Sequence, residues 1–316
     1  MTRLVALVTG STAMAFVGGS VAVSALLAGA PLFTTQALRY AVACLLLLGF
    51  ARLRRIALVR PRGVEWWWLA GIAASGLVLF NVALVEGARH AEPAVLGVAV
   101  ASVPTLLALA GPLLEGRGPS RAVLTAAVVV TLGAVMVQGL GRTDGIGVAW
   151  AAVAFACEAA FTLLAVPVLG RHGPVGVSVH STWPAAVMLA VLGVLHEGPG
   201  AAGTLRAIDL AAAGYLAVMV TAVAFVLWYG SVTRLGAGTA GLLTGIAPVS
   251  AAVTGMALGG PAPRMLVWAG VATVAAGLAL GLRKEHEKGR PSQGAASGAS
   301  GISRAASGSS RTAASC

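Results

Sequence analysis

Few residues in this chain could do chemistry, and the sharpest of them is Glu158. It stands inside an apolar run from about Gly145 to Gly170, which at 1.5 Å per residue puts it about 18 Å from either end of a helix. A bare carboxylate at that depth in lipid is costly, and the usual escapes are a partner, a water-filled cavity or protonation. A carboxyl that keeps its proton near neutral pH is the physical requirement for proton coupling. A neutral Glu bonding structurally between helices is the plain alternative. Arg39 stands about seven residues into another apolar run, a depth of about 10 Å. It could bind a substrate carboxylate, pair with Glu158, or snorkel to the headgroups.

Asn81 and Ser75 could line a cavity from the third apolar run, or bond across helices. Glu86, Arg89 and His90 at i, i+3 and i+4 suit a salt bridge at the rim of the same helix. His180, Ser181 and Trp183, with Trp228 and Tyr229, could form an aromatic, weakly polar wall for an amphipathic solute. An interfacial aromatic belt accounts for Trp228 and Tyr229 equally well. Pro104, Pro167, Pro184 and Pro248 interrupt backbone ladders as hinges or as packed kinks. The cysteines Cys44, Cys157 and Cys316 have neither metal nor disulfide spacing. No phosphate-binding, zinc-protease or serine-hydrolase motif occurs, so the reading is of a protein that is not an enzyme and needs no cofactor or metal.

The elements that hold these residues follow from composition. The 316 residues are 58% hydrophobic and 10% charged, with a mean hydropathy of +0.91, which one core under a polar surface cannot accommodate. Ten runs have the length to cross a bilayer as helices: about 4–30, 32–51, 66–88, 93–114, 121–140, 146–169, 175–195, 209–230, 237–259 and 265–282. The first could be a secretory signal ending in Ala28-Gly-Ala30, but its apolar length is about twice a typical h-region and it reads as an uncleaved span. Residues 284–316, rich in Gly, Ser, Ala and Arg, read as a disordered basic cytoplasmic tail. The net charge of +11 comes without a basic face or nucleic-acid motif, so nucleic acid is not an expected partner. With the N-terminus inside, sixteen basic residues fall on the inner side and four on the outer, placing both termini in the cytoplasm.

A shift of 144 positions brings Gly97, Pro104, Ala108, Gly111 and Leu114 onto Gly241, Pro248, Ala252, Gly255 and Leu258. The fold class is therefore an all-α integral membrane protein of ten transmembrane helices in two inverted five-helix repeats, about 1–141 and 145–283 within a membrane domain of 1–283. Pro104 and Pro248 predict a shared bend. Glu115 has no twin, because Gly259 takes its place, and with Arg117 and Arg121 nearby it reads as a structural ion pair at the cytoplasmic edge. Five GxxxG matches are about what chance gives for this glycine content and say nothing about a homodimer, which stays open.

The Pro31 to Arg39 entry, the central-proline helix in both halves (IAPVSAAVTGMALGG in the second) and the Arg234-Leu-Gly-Ala-Gly-Thr-Ala approach to it resemble the EamA-type transporters of the drug/metabolite transporter superfamily. The resemblance spans roughly residues 4 to 282. It implies ten helices, a central cavity between the halves, and export of amino acids or other small metabolites across a bacterial inner membrane. The expected partners are the lipid bilayer, a small-molecule metabolite and, with coupling at Glu158, protons. The competing expectation is a non-transporting scaffold or inactive paralogue, supported by the missing acid at Gly259.

Overall fold

In the computed structural model of the chain, residues 3–257 and 264–288 are described, with side chains through residue 282. Ten apolar helices account for nearly all of them: α1 (Arg3–Ala25), α2 (Leu32–Leu53), α3 (Glu65–Gly87), α4 (Pro93–Leu114), α5 (Arg121–Gln138), α6 (Gly145–Leu163), α7 (Val166–His196), α8 (Ala207–Leu235), α9 (Ala237–Ala257) and α10 (Met265–Leu282). Among the described residues the sole β pairing is a bridge between Ala91 and Thr143. Such a chain is built from helices because lipid offers no partner to an open backbone N–H or C=O. The helices stop where the sequence supplies caps. Asp144 accepts from the Gly147 N–H at 2.7 Å to start α6, and Gly139 and Gly236 end α5 and α8 at φ of 77° and 78°.

Hydropathy alone misplaces several ends. The first helix stops at Ala25 and α8 runs on to Leu235, while α7 is kinked at Gly173, φ 65°, into a short segment from Val166 and a longer one that restarts close to the expected Val175. The last helix remains helical to Lys288. The remaining residues of the predicted tail, and Gly259, lie outside the described residues.

The 144-residue offset recurs in the geometry. A π-helical stretch occupies Ile72–Leu79 in α3 and another Leu216–Val223 in α8, with matching first and last residues under the shift. The break in α4 falls at Ser102, between segments Pro93–Ala101 and Val103–Leu114. In α9 a 3₁₀ turn over Leu242–Gly245 precedes Ile246–Ala257. Each proline follows its break, so Pro104 and Pro248 sit where the helix restarts. The starts of α3 and α8 also agree: Glu65 accepts from the Arg62 N–H at 2.8 Å, and Asp209 from the Arg206 N–H at 2.9 Å.

Helices α5 and α10 lie antiparallel with their backbones in close contact. A Cβ at Gly133 would stand 2.8 Å from the Gly270 carbonyl oxygen and 2.6 Å from the Val274 nitrogen. A Cβ at Gly277 would stand 3.1 Å from the Ala126 carbonyl oxygen and 2.9 Å from the Val130 nitrogen. Those two sets are each other's counterparts under the shift, the reciprocity of a two-fold contact. Gly277 and Gly281 therefore serve packing within one chain, a role the GxxxG count could not detect. The side carrying the start of α1 is called proximal here, the opposite side distal.

Candidate functional site

The depth of Glu158 is fixed by packing. Phe161 on α6 fills the space beside Gly76, where a Cβ would lie 2.8 Å from the Phe161 Cβ. Gly76 is at the midpoint of α3, so Phe161 is at mid-depth, and Glu158 is three residues, about 4.5 Å, further toward the distal side. Helix α6 itself ends at Leu163, but the chain continues proximally through the buried Ala165, Val168 and Leu169. The sequence-based depth is therefore retained although the helix is shorter. The Glu158 side chain is half-buried and, among the described residues, has neither a hydrogen-bond nor an ion-pair partner. Its carboxyl lies close enough to the Tyr229 phenol on α8 to interact with it electrostatically.

Tyr229 and Trp228 are not an interfacial belt. Tyr229 is fully buried and donates to the Phe161 carbonyl at 3.1 Å, and the Trp228 indole donates to Thr162 Oγ1 at 3.0 Å. The reason is the extra proximal length of α8, which leaves both aromatics at mid-depth. The Phe161, Phe225 and Tyr229 rings, with centroids 4.8 Å and 5.1 Å from Phe161, fill the seam between α6 and α8.

Arg39 does not pair with Glu158. Its Nε donates to Thr221 Oγ1 across the seam at 2.9 Å, its Nη1 to Gln36 Oε1 at 3.2 Å, and its guanidinium stands 5.1 Å from the Tyr40 ring centroid. Asn81 donates to Tyr40 Oη at 3.1 Å and to the Leu77 carbonyl at 2.6 Å. Residues Arg39, Tyr40, Asn81 and Thr221 thus form one polar chain from α2 to α3 and α8. Ser75 bonds only within its helix, to the Gly71 carbonyl.

His180 and Trp183 are elsewhere. Because α7 restarts after Gly173, His180 is near the proximal end, where its Nε2 meets the Val59 carbonyl at 3.0 Å. Trp66 packs edge-on against both, and Trp183 is 40% exposed. Glu65 joins Arg171 and His172 beside this cluster. The expected aromatic wall is therefore two groups, a central one on α6 and α8 and a proximal one on α3 and α7.

At the proximal end Glu115 pairs with Arg117 and accepts from the Ala237 N–H at 2.7 Å, capping α9. Arg121 is exposed and outside this pair. The rim group is also rearranged: Arg89 pairs with Glu86 at 3.0 Å, whereas His90 turns to Asp144 at 3.0 Å. Two carboxylates that sequence reading passed over tie the distal loops. Glu92 binds Arg142 at 2.8 Å. Glu197 accepts from the Phe33 and Thr34 N–H groups at 2.8 and 2.9 Å and from the Thr34 hydroxyl. The shift that revealed the repeat also marks Glu65 and Asp209 as counterparts, which was the available signal for that pair. An open cavity of about 600 Å³ lies on this distal side, bordered by Pro31, Glu197 and Arg206, away from Glu158. Among the described residues no cluster of His, Cys, Asp and Glu could hold a metal ion.

Ten helices long and apolar enough to span a bilayer, in two matching sets, are the arrangement of a multi-pass membrane protein. The profile of the EamA-like transporter family matches residues 4–138 and again 145–283. The chain belongs to the EamA-like transporter family. As a member of that family it is a transporter, not an enzyme. A curated relative, an uncharacterized transporter YetK from Bacillus subtilis (strain 168), is 25% identical over 253 residues, covering 77% of this chain and 76% of YetK. A solved structure titled only as the crystal structure of a protein superposes with a TM-score of 0.77 at 20% identity, covering 89% of this chain and 98% of the other. That likeness establishes the fold of the EamA-like chain and nothing about its solute.

Proposed function

We propose that this EamA-like protein is a secondary carrier that exports amino acids or similar small metabolites across a bacterial inner membrane, with both termini in the cytoplasm. It works by alternating access between two inverted five-helix halves, residues about 1–141 and 145–283. The reciprocal, antiparallel contact of α5 with α10 supports the inverted relation, and these two helices brace the outside of the pair.

The observation that carries the reading is an inequality between two equivalent seams of α4 and α9. At the proximal seam a Cβ on Gly111 would stand 2.9 Å from both the Ala237 Cβ and the Gly238 nitrogen, and one on Gly241 would stand 2.8 Å from the Leu107 Cβ. The 144-residue counterpart of Gly111 is Gly255, and among the described residues nothing lies within 4 Å of a Cβ there. One end is sealed and the other open, although the repeat makes them alike. Exchanging the two roles converts a distally open carrier into a proximally open one, with Gly255 meeting Pro93 and Ala94 and Gly111 released. Such an exchange draws on the packing contacts of the partner repeat, apart from the Glu115 cap on the Ala237 N–H, which has no twin.

Glu158 supplies the coupling group. It is a carboxyl near mid-depth with no hydrogen-bond or ion-pair partner among the described residues, on α6 where that helix meets α8, and an intramembrane acid in that position is functional by default. A purely structural scaffold gives no account of an acid at Glu158 and a guanidinium at Arg39 that have no ion-pair partner among the described residues. Efflux of labelled amino acids and other small metabolites is measured from cells with and without the protein. Faster efflux of at least one solute is expected; identical efflux across the panel is the scaffold's result and ends the carrier reading.

A further inference from the structure

The polar chain around Arg39 has a property that the transport reading leaves unused. Among the described residues the guanidinium has no carboxylate partner, although it carries a full charge about seven residues, or 10 Å, into α2. Its two hydrogen bonds go to neutral oxygens, Thr221 Oγ1 and Gln36 Oε1. Those anchors are interior groups, Thr221 fully buried and Gln36 8% exposed, so the head is turned into the seam rather than toward lipid. The Tyr40 ring supports one face, and Asn81 holds the Tyr40 hydroxyl in turn. A guanidinium has five N–H donors in a fixed fork, and two are engaged here. The remaining fork is oriented, half-buried and without a counter-ion, which is the donor set that grips a planar carboxylate in two-point fashion.

We propose that Arg39 is the anion-binding centre of the transport route, and that the solute is a small carboxylate whose acid group docks on the free edge of this guanidinium, with Thr221 and Gln36 as positioning residues. The inference rests on the carrier reading and adds the substrate class to it. Two features limit the class. The Glu158 carboxyl near the same depth, without a partner among the described residues, disfavours a second negative charge, and the half-buried Phe161 ring one turn from it offers an apolar surface. A monocarboxylate with an apolar body fits both. The guanidinium would also accept a phosphate oxygen from an anionic lipid, and the test separates the two.

The full chain is purified and thermal unfolding is followed with benzoate and N-acetyl-L-phenylalanine, each against its neutral amide, in phosphatidylcholine vesicles with and without phosphatidylglycerol. Counterflow of the same compounds is measured in parallel. At least one carboxylate, and not its amide, is expected to raise the unfolding temperature and to exchange. Arg39→Gln should raise the half-saturating concentration at least tenfold, Arg39→Lys should restore part of the loss, and Thr221→Val should weaken binding without removing it. If Arg39→Gln does not fold, the Thr221→Val and Arg39→Lys series decides, since equal carboxylate binding in all three folded proteins overturns the proposal. Equal response to carboxylate and amide, or a response to phosphatidylglycerol alone, also overturns it. Exchange that persists in Arg39→Gln overturns the role of Arg39 and leaves the carrier intact, as does a wild type that exchanges neither carboxylate yet shows efflux in the metabolite panel; no efflux across the panel ends both.

Discussion

Substituting Gly111 by alanine tests the sealed seam at its narrowest point. The new Cβ would lie 2.9 Å from the Ala237 Cβ and 2.9 Å from the Gly238 nitrogen, and one of these neighbours is backbone, so α4 and α9 must part. Overpacking of this kind costs about 1–3 kcal/mol. The opposite state separates these ends and escapes the cost, so the equilibrium should move toward it by about 5- to 150-fold, at tenfold for each ~1.4 kcal/mol. Thr239, 5% exposed on the first turn of α9, is replaced by cysteine as the reporter, in a background where Cys44, Cys157 and Cys316 are alanine. Its rate of labelling by a maleimide should rise within that range in Gly111→Ala. Gly255→Ala, whose new methyl meets nothing in this state but would meet Pro93 and Ala94 in the opposite one, should lower the rate. A folded Gly111→Ala protein that labels at the parent rate, or an equal rise with Gly255→Ala, would refute the reasoning.

Glu158→Gln keeps the shape and removes the ionisable proton, so transport should persist at one pH while its pH dependence is lost; an unchanged pH profile in proteoliposomes argues against coupling there. Gly277→Leu forces side-chain atoms onto the Val130 nitrogen and Ala126 carbonyl. It should lower thermal stability in detergent by about 1–3 kcal/mol, and a neutral result would contradict the α5–α10 contact. On the distal loops, the Arg142 hydrogen bond holds Glu92 below the usual carboxylate range, and the Gly147 N–H, followed by His90, does the same for Asp144. A depressed folded value means stabilisation that is complete above the unfolded range near about 4 and is lost as pH falls through the folded value. Hydrogen exchange over residues 88–92 and 141–147 should accelerate on acidification only in that lower window, and an onset near neutrality would be inconsistent with these pairs.

Much of the fold could be read from the chain because lipid imposes a simple length rule, and ten apolar runs met it. The ends were harder. Helix α8 runs past the expected stop as far as Leu235, and that error displaced Trp228 and Tyr229 to a boundary. His180 and Trp183 were grouped with them by residue type, whereas α7 restarts after Gly173, close to the expected Val175, and leaves them near the proximal end. The candidate site stands out in the sequence at single residues, Glu158 and Arg39, since charge within an apolar run is conspicuous. Their partners were not, because Thr221, Gln36 and Tyr40 are ordinary residue types whose relation depends on how α2, α3 and α8 pack. The repeat was faint in residue identity yet clear in geometry: the π stretches at 72–79 and 216–223 share almost no sequence. Backbone irregularity set by packing does not require particular side chains.

The central claim is that transport requires the two α4–α9 seams to close in turn. Counterflow of the responding solute by the wild-type protein and by Gly255→Trp, in proteoliposomes, tests it most directly. The tryptophan has room in the described state, where Gly255 is exposed, but not in the state that brings Gly255 onto Pro93 and Ala94. The prediction is a Gly255→Trp protein that is folded, as stable as the parent, and silent in counterflow. Undiminished counterflow by that protein would contradict the account.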